Sequence, residues 1–173
     1  LLVIVSFGIL IYCLFFRKKM ALIIIDVQND FCPGGTLAVT DGDSIIEPTN
    51  KLIRLFQSNK KIVIYSRDWH PLGTTHFKCD ENPDGWPVHC VGGRISGMDL
   101  NTFLKNKRVD TLLVCGLATD YCVKDTVLDA KKLGYNVIVV QECIRAVNIE
   151  PNDGEKAIAE MKNAGAIIPE KIF

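Results

Sequence analysis

Net charge is missing from this sequence: twenty Lys and Arg side chains balance twenty Asp and Glu over 173 residues. With no basic surplus, nucleic acid is excluded as an electrostatically bound partner. Repeats and low-complexity linkers are also absent, so a chain of this length, 48% hydrophobic, fits one globular domain. Cysteine is present seven times but lacks organisation, being odd in number with no CxxC pair. That favours reduced thiols in a cytoplasmic protein over a disulfide framework. Histidine is scarce, with three in all, and they lie between positions 70 and 89.

No apolar run reaches the ~20 residues that span a bilayer. The longest, Leu1 to Phe16, is closed by Arg17-Lys18-Lys19 and then Met20, and the chain does not begin with Met. A secretory signal would carry its charge before the apolar core, not after it. Two readings of 1–19 stand side by side. One is a membrane anchor completed upstream, with the basic cluster holding the domain on the cytoplasmic side. The other is a translated leader before a start at Met20. Either way residues 20–173 form the folded domain.

Thr111 to Gly134 reads as a buried strand, a sharp turn and an amphipathic helix with Gly134 as its C-cap. Cys122 falls in the first turn of that helix, beyond the carboxyl end of the strand, where open α/β sheets place their sites. A helix N-terminus there is expected to lower the thiol pKa and to offer N–H groups to an oxyanion. A buried, inert cysteine is the alternative. Ala21–Ile25 is a second buried strand, ended by Asp26, an acid that is costly to bury without a role. A helix capped by Asp43 and running to Asn59, then a strand Lys61–Ser66, complete a βαβ unit. Further on come a helix Met98–Asn106, a strand Tyr135–Gln141, a helix Gly154–Asn163 and an edge strand Ala166–Ile168. The alternation predicts an α/β fold, a doubly wound, mainly parallel sheet with helices on both faces. Between Asp68 and Cys90 the regular pattern stops, and Asp68, His70, His76 and His89 offer imidazole and carboxylate ligands suited to Zn²⁺, Fe²⁺ or Mn²⁺.

Gly116-Leu-Ala-Thr-Asp-Tyr-Cys-Val-Lys124, continued by Thr126–Ala130, closely resembles the nucleophile motif of nicotinamidases in the isochorismatase-like cysteine hydrolase family. Ile23–Gly35 resembles the family's first motif. Asp68-Trp69-His70 and Trp86-Pro87-Val88-His89-Cys90 resemble its two metal motifs. The resemblance covers Met20 to about Ile168. It implies Cys122 as nucleophile, Asp26 as general base, a cis bond before Ala118, and an oxyanion hole from the Ala118 and Cys122 N–H groups. It implies one divalent metal, Zn²⁺ first with Fe²⁺ or Mn²⁺ as alternatives, on Asp68, His70 and His89. His76 matches a ligand found only in some members. Phe31 and Trp86 match aromatic walls of the substrate pocket, and Tyr121 joins them. The implied reaction converts nicotinamide to nicotinic acid and ammonia through a thioester, in NAD salvage; self-association is left open.

One departure stands out. The family carries a strand with an essential Lys, and a loop, between WPxHC and the nucleophile motif. Here only 33 positions separate His89 from Cys122, and Cys90–Gly93 runs straight into a segment resembling the family's next helix. The sheet is therefore expected to be one strand short. Lys105 and Lys107 fall at the opposite end of the sheet, and Lys124 faces away, about 200° around the helix from Cys122. Lys78 has the only plausible reach. The rival expectations are an impaired splice form or binding protein that keeps the metal pocket, and another amidase of the same family.

Overall fold

The structure is a computed structural model and describes residues 19–71, 73–80, 82–92 and 99–170. The apolar run 1–16, the junction after Gly92 and the expected helix start at Met98 lie outside the described residues. Four parallel strands make the main sheet in the order β2-β1-β5-β6: β1 Met20–Ile25, β2 Ile62–Tyr65, β5 Thr111–Leu117 and β6 Asn136–Arg145. β1 and β5 are buried along their whole length, as their unbroken apolar runs require of strands covered on both faces.

Alternate residues serve opposite layers. Leu22, Ile24, Leu113 and Cys115 pack against Leu52 and Phe56 of α1, Ile46–Ser58. Ala21, Ile23, Leu112 and Val114 face the other side, with Leu104 of α2 (Leu100–Asn106), Val127 of α3 (Lys124–Lys132) and Met161 of α4 (Asp153–Asn163). Helices therefore cover both faces.

Several boundaries move for local reasons. Asp43 caps nothing; a 3₁₀ turn, Gly42–Ile45, precedes α1, with Asp41 in the left-handed region before it. α2 begins at Leu100 because Asp99 accepts the Thr102 N–H at 2.9 Å. Gly134, at φ +89°, closes α3 as expected, with its N–H bonded to Lys131 and that of Tyr135 to Ala130. Ala166–Ile168 makes only a single parallel bridge, Ile138 to Ile167, rather than a strand.

The chain moves outward from β1 to β2, then crosses back over β1 to β5. The reversal leaves a crevice between the carboxyl ends of β1 and β5, the place where open sheets bind ligands. β2 is the sheet edge: Ile62, Val63 and Ile64 are half-buried and Tyr65 is 60% exposed. A second, two-stranded sheet pairs β3 (His70–Pro71) with β4 (Val91–Gly92), so the two histidine-bearing stretches are joined by backbone.

Candidate active site

Asp26 sits at the end of β1 in the left-handed region (φ +47°), and is buried. Ser66, just past β2, donates its hydroxyl to Asp26 Oδ1 at 2.6 Å, and its oxygen accepts the Asp26 N–H at 3.2 Å. On the neighbouring strand, Gly116 pairs with Ile25. A Cβ on Gly116 would collide with the Ile25 backbone, and its φ is +122°. The missing side chain therefore allows the two strand ends to close up. The peptide bond between Leu117 and Ala118 is cis, as the family resemblance implied.

Cys122 lies in a π-type turn, Thr119–Val123, that kinks at Tyr121 before α3 begins. It is thus ahead of the α-helix rather than in its first turn. Its thiol lies close enough to the Asp26 carboxylate for each to act on the ionisation of the other. The expected lowering of its pKa is not found. Burial first, and the Asp26 charge second, push the thiol up to about 12, against a small opposing effect of its own N–H. A few dipolar N–H groups do not offset desolvation and an adjacent anion. Burial likewise raises Asp26, against the Ser66 hydrogen bond and the neighbouring Cys122 thiol. Among the described residues, no cation acts appreciably on either side chain. Lys78 is exposed, and Lys124 turns to Glu160 on α4, at 3.8 Å.

The histidines converge above this pair. Asp68 lies 2.9 Å from His70 Nε2 and 3.0 Å from His89 Nε2. The ring donor atoms of His70, His76 and His89 all fall within 4.8 Å of one another. His76 stacks on His70, with centroids 4.2 Å apart and planes at 13°. His89, 5% exposed, has Nδ1 2.6 Å from the Pro87 carbonyl, which can only accept, so Nδ1 carries the proton. In the neutral ring, Nε2 then presents a lone pair to an Asp68 oxygen. Two acceptors facing each other are reconciled by a cation between them, a metal ion or a proton on Nε2, and metal ligands held at about 2.1 Å and near right angles lie about 3 Å apart. The residues present fit a divalent metal.

A pocket of about 190 Å³ opens beside them. It takes in Phe31, Trp86, Ala118, Tyr121 and Cys122 with Asp68 and the three histidines. Trp86 meets Tyr121 edge-on at 5.4 Å. Of the residues singled out from sequence, only Asp26 is not on the wall, lying behind Cys122. Leu37, Val39, Leu117 and Val147 complete the apolar lining, and sequence reasoning missed them. Nothing distinguishes such residues from core residues until the fold places them. Gln28 and Ser66 were missed too, although Gln28 lies within the first motif.

Residues 20–97 and 94–170 match the Isochorismatase domain model, in two pieces that meet at 94–97. The chain is 37% identical to the nicotinamidase of Escherichia coli (strain K12) over 198 aligned positions, covering 86% of this chain and 93% of that protein. Since 86% of 173 residues is about 149, about 49 of those positions have no counterpart here. The nicotinamidase of Acinetobacter baylyi is 31% identical over 183 positions, covering 76% of this chain and 84% of that one. Among solved structures, the pyrazinamidase of Pyrococcus horikoshii in complex with zinc has 33% identity and a TM-score of 0.79, covering 87% of this chain and 98% of its own. Motifs, fold and relatives agree, and the chain belongs to the isochorismatase family.

Proposed function

We propose that this chain is a nicotinamidase-type amidohydrolase, converting nicotinamide and water to nicotinic acid and ammonia. The observation that carries this is the Cys122 thiol on the wall of an aromatic-lined pocket, coupled to the buried Asp26 carboxylate and beside a metal-ready histidine cluster. The pocket volume suits a single-ring amide, being smaller than the usual ~300–1,000 Å³ ligand pocket.

Phe31 and Trp86 hold the ring, with Tyr121 backing Trp86. Asp26 takes the Cys122 proton as sulfur attacks the amide carbon, and the backbone N–H groups of Ala118 and Cys122 receive the oxyanion. Asp26 then passes that proton to the departing nitrogen, releasing ammonia and leaving a thioester. Asp26 next accepts a proton from water, whose oxygen displaces sulfur to release the acid, and that proton returns from Asp26 to the departing Cys122 thiolate. Asp68, His70 and His89, with His76 at their side, would hold the divalent metal, Zn²⁺ first among candidates, which supplies a Lewis-acid anchor for the ring nitrogen. The six described cysteines are all free, which suits a reducing, cytoplasmic setting. Among the described residues no helix is long and apolar enough to cross a membrane.

A second reading, an impaired form that keeps the pocket, is favoured by the lack of a cation acting on Asp26 among the described residues and by the roughly 49 positions of the Escherichia coli relative that have no counterpart here. Ammonia release by the full chain and by Cys122→Ala separates the two. Catalysis predicts a loss of at least about a thousandfold in the variant, as for other nucleophile knockouts. Equal rates in the two proteins, with nicotinamide still bound, would establish the impaired form.

A further inference from the structure

The candidate metal ligands come from two separate stretches, Asp68–His70 and His76–His89, and neither is anchored by a long regular element. Their spacing is set by the β3–β4 pairing and by the cross-links beside it. One side chain from elsewhere in the chain bonds Asp68 of the first stretch and Cys90 at the end of the second. Gln28 Oε1 accepts the Asp68 N–H at 2.6 Å. Gln28 Nε2 donates to the Asp68 carbonyl at 3.3 Å and to Cys90 Sγ at 3.0 Å, next to His89. The orientation of the amide is dictated by these partners, because an N–H can only donate to the oxygen end. Cys90 is itself a junction: its N–H donates to Asp30 Oδ2 at 2.8 Å, and its carbonyl accepts the His70 N–H at 3.0 Å.

We propose that Gln28 is the positioning residue of the metal site, a strut from the loop after the catalytic base that holds Asp68 and His89 at one separation by bonding the backbone of the first and the thiol beside the second. The inference rests on the metal reading given above. Asp26 and Gln28 share one short loop, so the base and the metal-bearing stretches are kept in mutual register by the same piece of chain. Gln28 touches no ligand atom itself. Its effect is to reduce the freedom that the ligands would otherwise lose on closing around an ion, which is how outer-shell partners act on affinity.

The test uses the full chain, freed of metal and titrated with Zn²⁺ against a chromophoric chelator. Gln28→Met keeps the length and bulk of the side chain but removes all three hydrogen bonds. Gln28→Glu keeps the acceptor for the Asp68 N–H and turns an oxygen toward the Asp68 carbonyl and Cys90. Each is expected to bind Zn²⁺ about 10–100-fold more weakly, the range for lost outer-shell partners. Melting of the metal-free protein should change little, and the visible spectrum of the Co²⁺-loaded protein should alter in shape and intensity. Should one variant not fold, the other carries the same test. Wild-type affinity and an unchanged Co²⁺ spectrum in the variants would overturn the inference. So would a drop in metal-free stability as large as the loss of binding, which would make Gln28 a general structural residue. A wild type that takes up no metal would overturn the metal reading itself, and this inference with it.

Discussion

The chemistry proposed for Cys122 requires its proton to pass to Asp26. Both groups are shifted toward their protonated forms, the thiol most, because burial penalises each charge and no cation among the described residues offsets it. A thiol with pKa near 12 is a thiolate in about 1 part in 10⁵ at pH 7, against about 1 in 30 for an ordinary cysteine of pKa 8.5. Alkylation of Cys122 by iodoacetamide in the metal-free chain should therefore run about three orders of magnitude slower than alkylation of free cysteine at pH 7. Because the shift is upward, the rate should keep climbing about tenfold per pH unit beyond pH 9, without a plateau. Mass spectrometry of the Cys122 peptide over a pH series gives the profile. A plateau below pH 8 would show that the thiol is activated in the resting protein.

The strands β1 and β5 carry this pair, and their approach depends on Gly116. It faces Ile25 across the sheet, Ile25 being one residue before Asp26 and Gly116 two before the cis-linked Ala118. A methyl group at Gly116 meets the Ile25 backbone and requires a φ that side-chain-bearing residues rarely adopt. Backbone cannot rotate aside as a side chain can, so the strand ends must separate. Gly116→Ala is expected to cost more than about 2 kcal/mol, the range of strained backbone sites and overpacked cores. Any folded fraction should lose turnover. Gly134→Ala, also at positive φ but with open space around it, serves as a comparison and should cost only about 1 kcal/mol. Urea melts of the two variants decide the matter; equal costs would remove the argument for close strand approach.

The molecule as a whole is shaped by what lies between β4 and α2. The Escherichia coli relative has about 49 aligned positions without a counterpart in this chain, and the family match breaks into two pieces at 94–97. In a sheet wound outward from β1 to β2 a further strand from that interval would belong beyond β2. That is where the sheet ends here, with a row of half-buried apolar residues and Tyr65 turned to solvent. Ser66 leads from that edge to Asp26, so a neighbouring strand would end close to the base. By family resemblance such a strand carries a lysine. Inserting the corresponding stretch of the Escherichia coli relative between Gly92 and Asp99 should raise nicotinamide turnover at least ~10²-fold, a modest value for a positioned charge partner. It should also raise the melting temperature by covering the edge. Ammonia release at equal metal occupancy measures the first effect and calorimetry the second. Comparable rates would show that a lysine already present, with Lys78 the first to mutate, fills the role.

Much of this was readable before any coordinates. A five-residue apolar run rich in isoleucine such as Ala21–Ile25 reads as a buried parallel strand, and an acid or a thiol just past such a run falls at the carboxyl end of the sheet. Local sequence therefore placed Asp26, Cys122 and the histidine cluster in one crevice and identified Gly134 as a helix end. Three things depended on contacts between distant segments. The direction of the Cys122 pKa shift followed from burial against Asp26, 96 positions away, which outweighed the helix terminus visible locally. The π-type turn that kinks at Tyr121 ahead of α3 has no local sequence signal. The parts played by Gln28 and Ser66 exist only because the fold brings them to Asp68, Cys90 and Asp26. Short-range patterning dictates which backbone forms and which face is apolar. The energy of a buried charge or a cross-linking amide depends on neighbours that only the folded chain assembles.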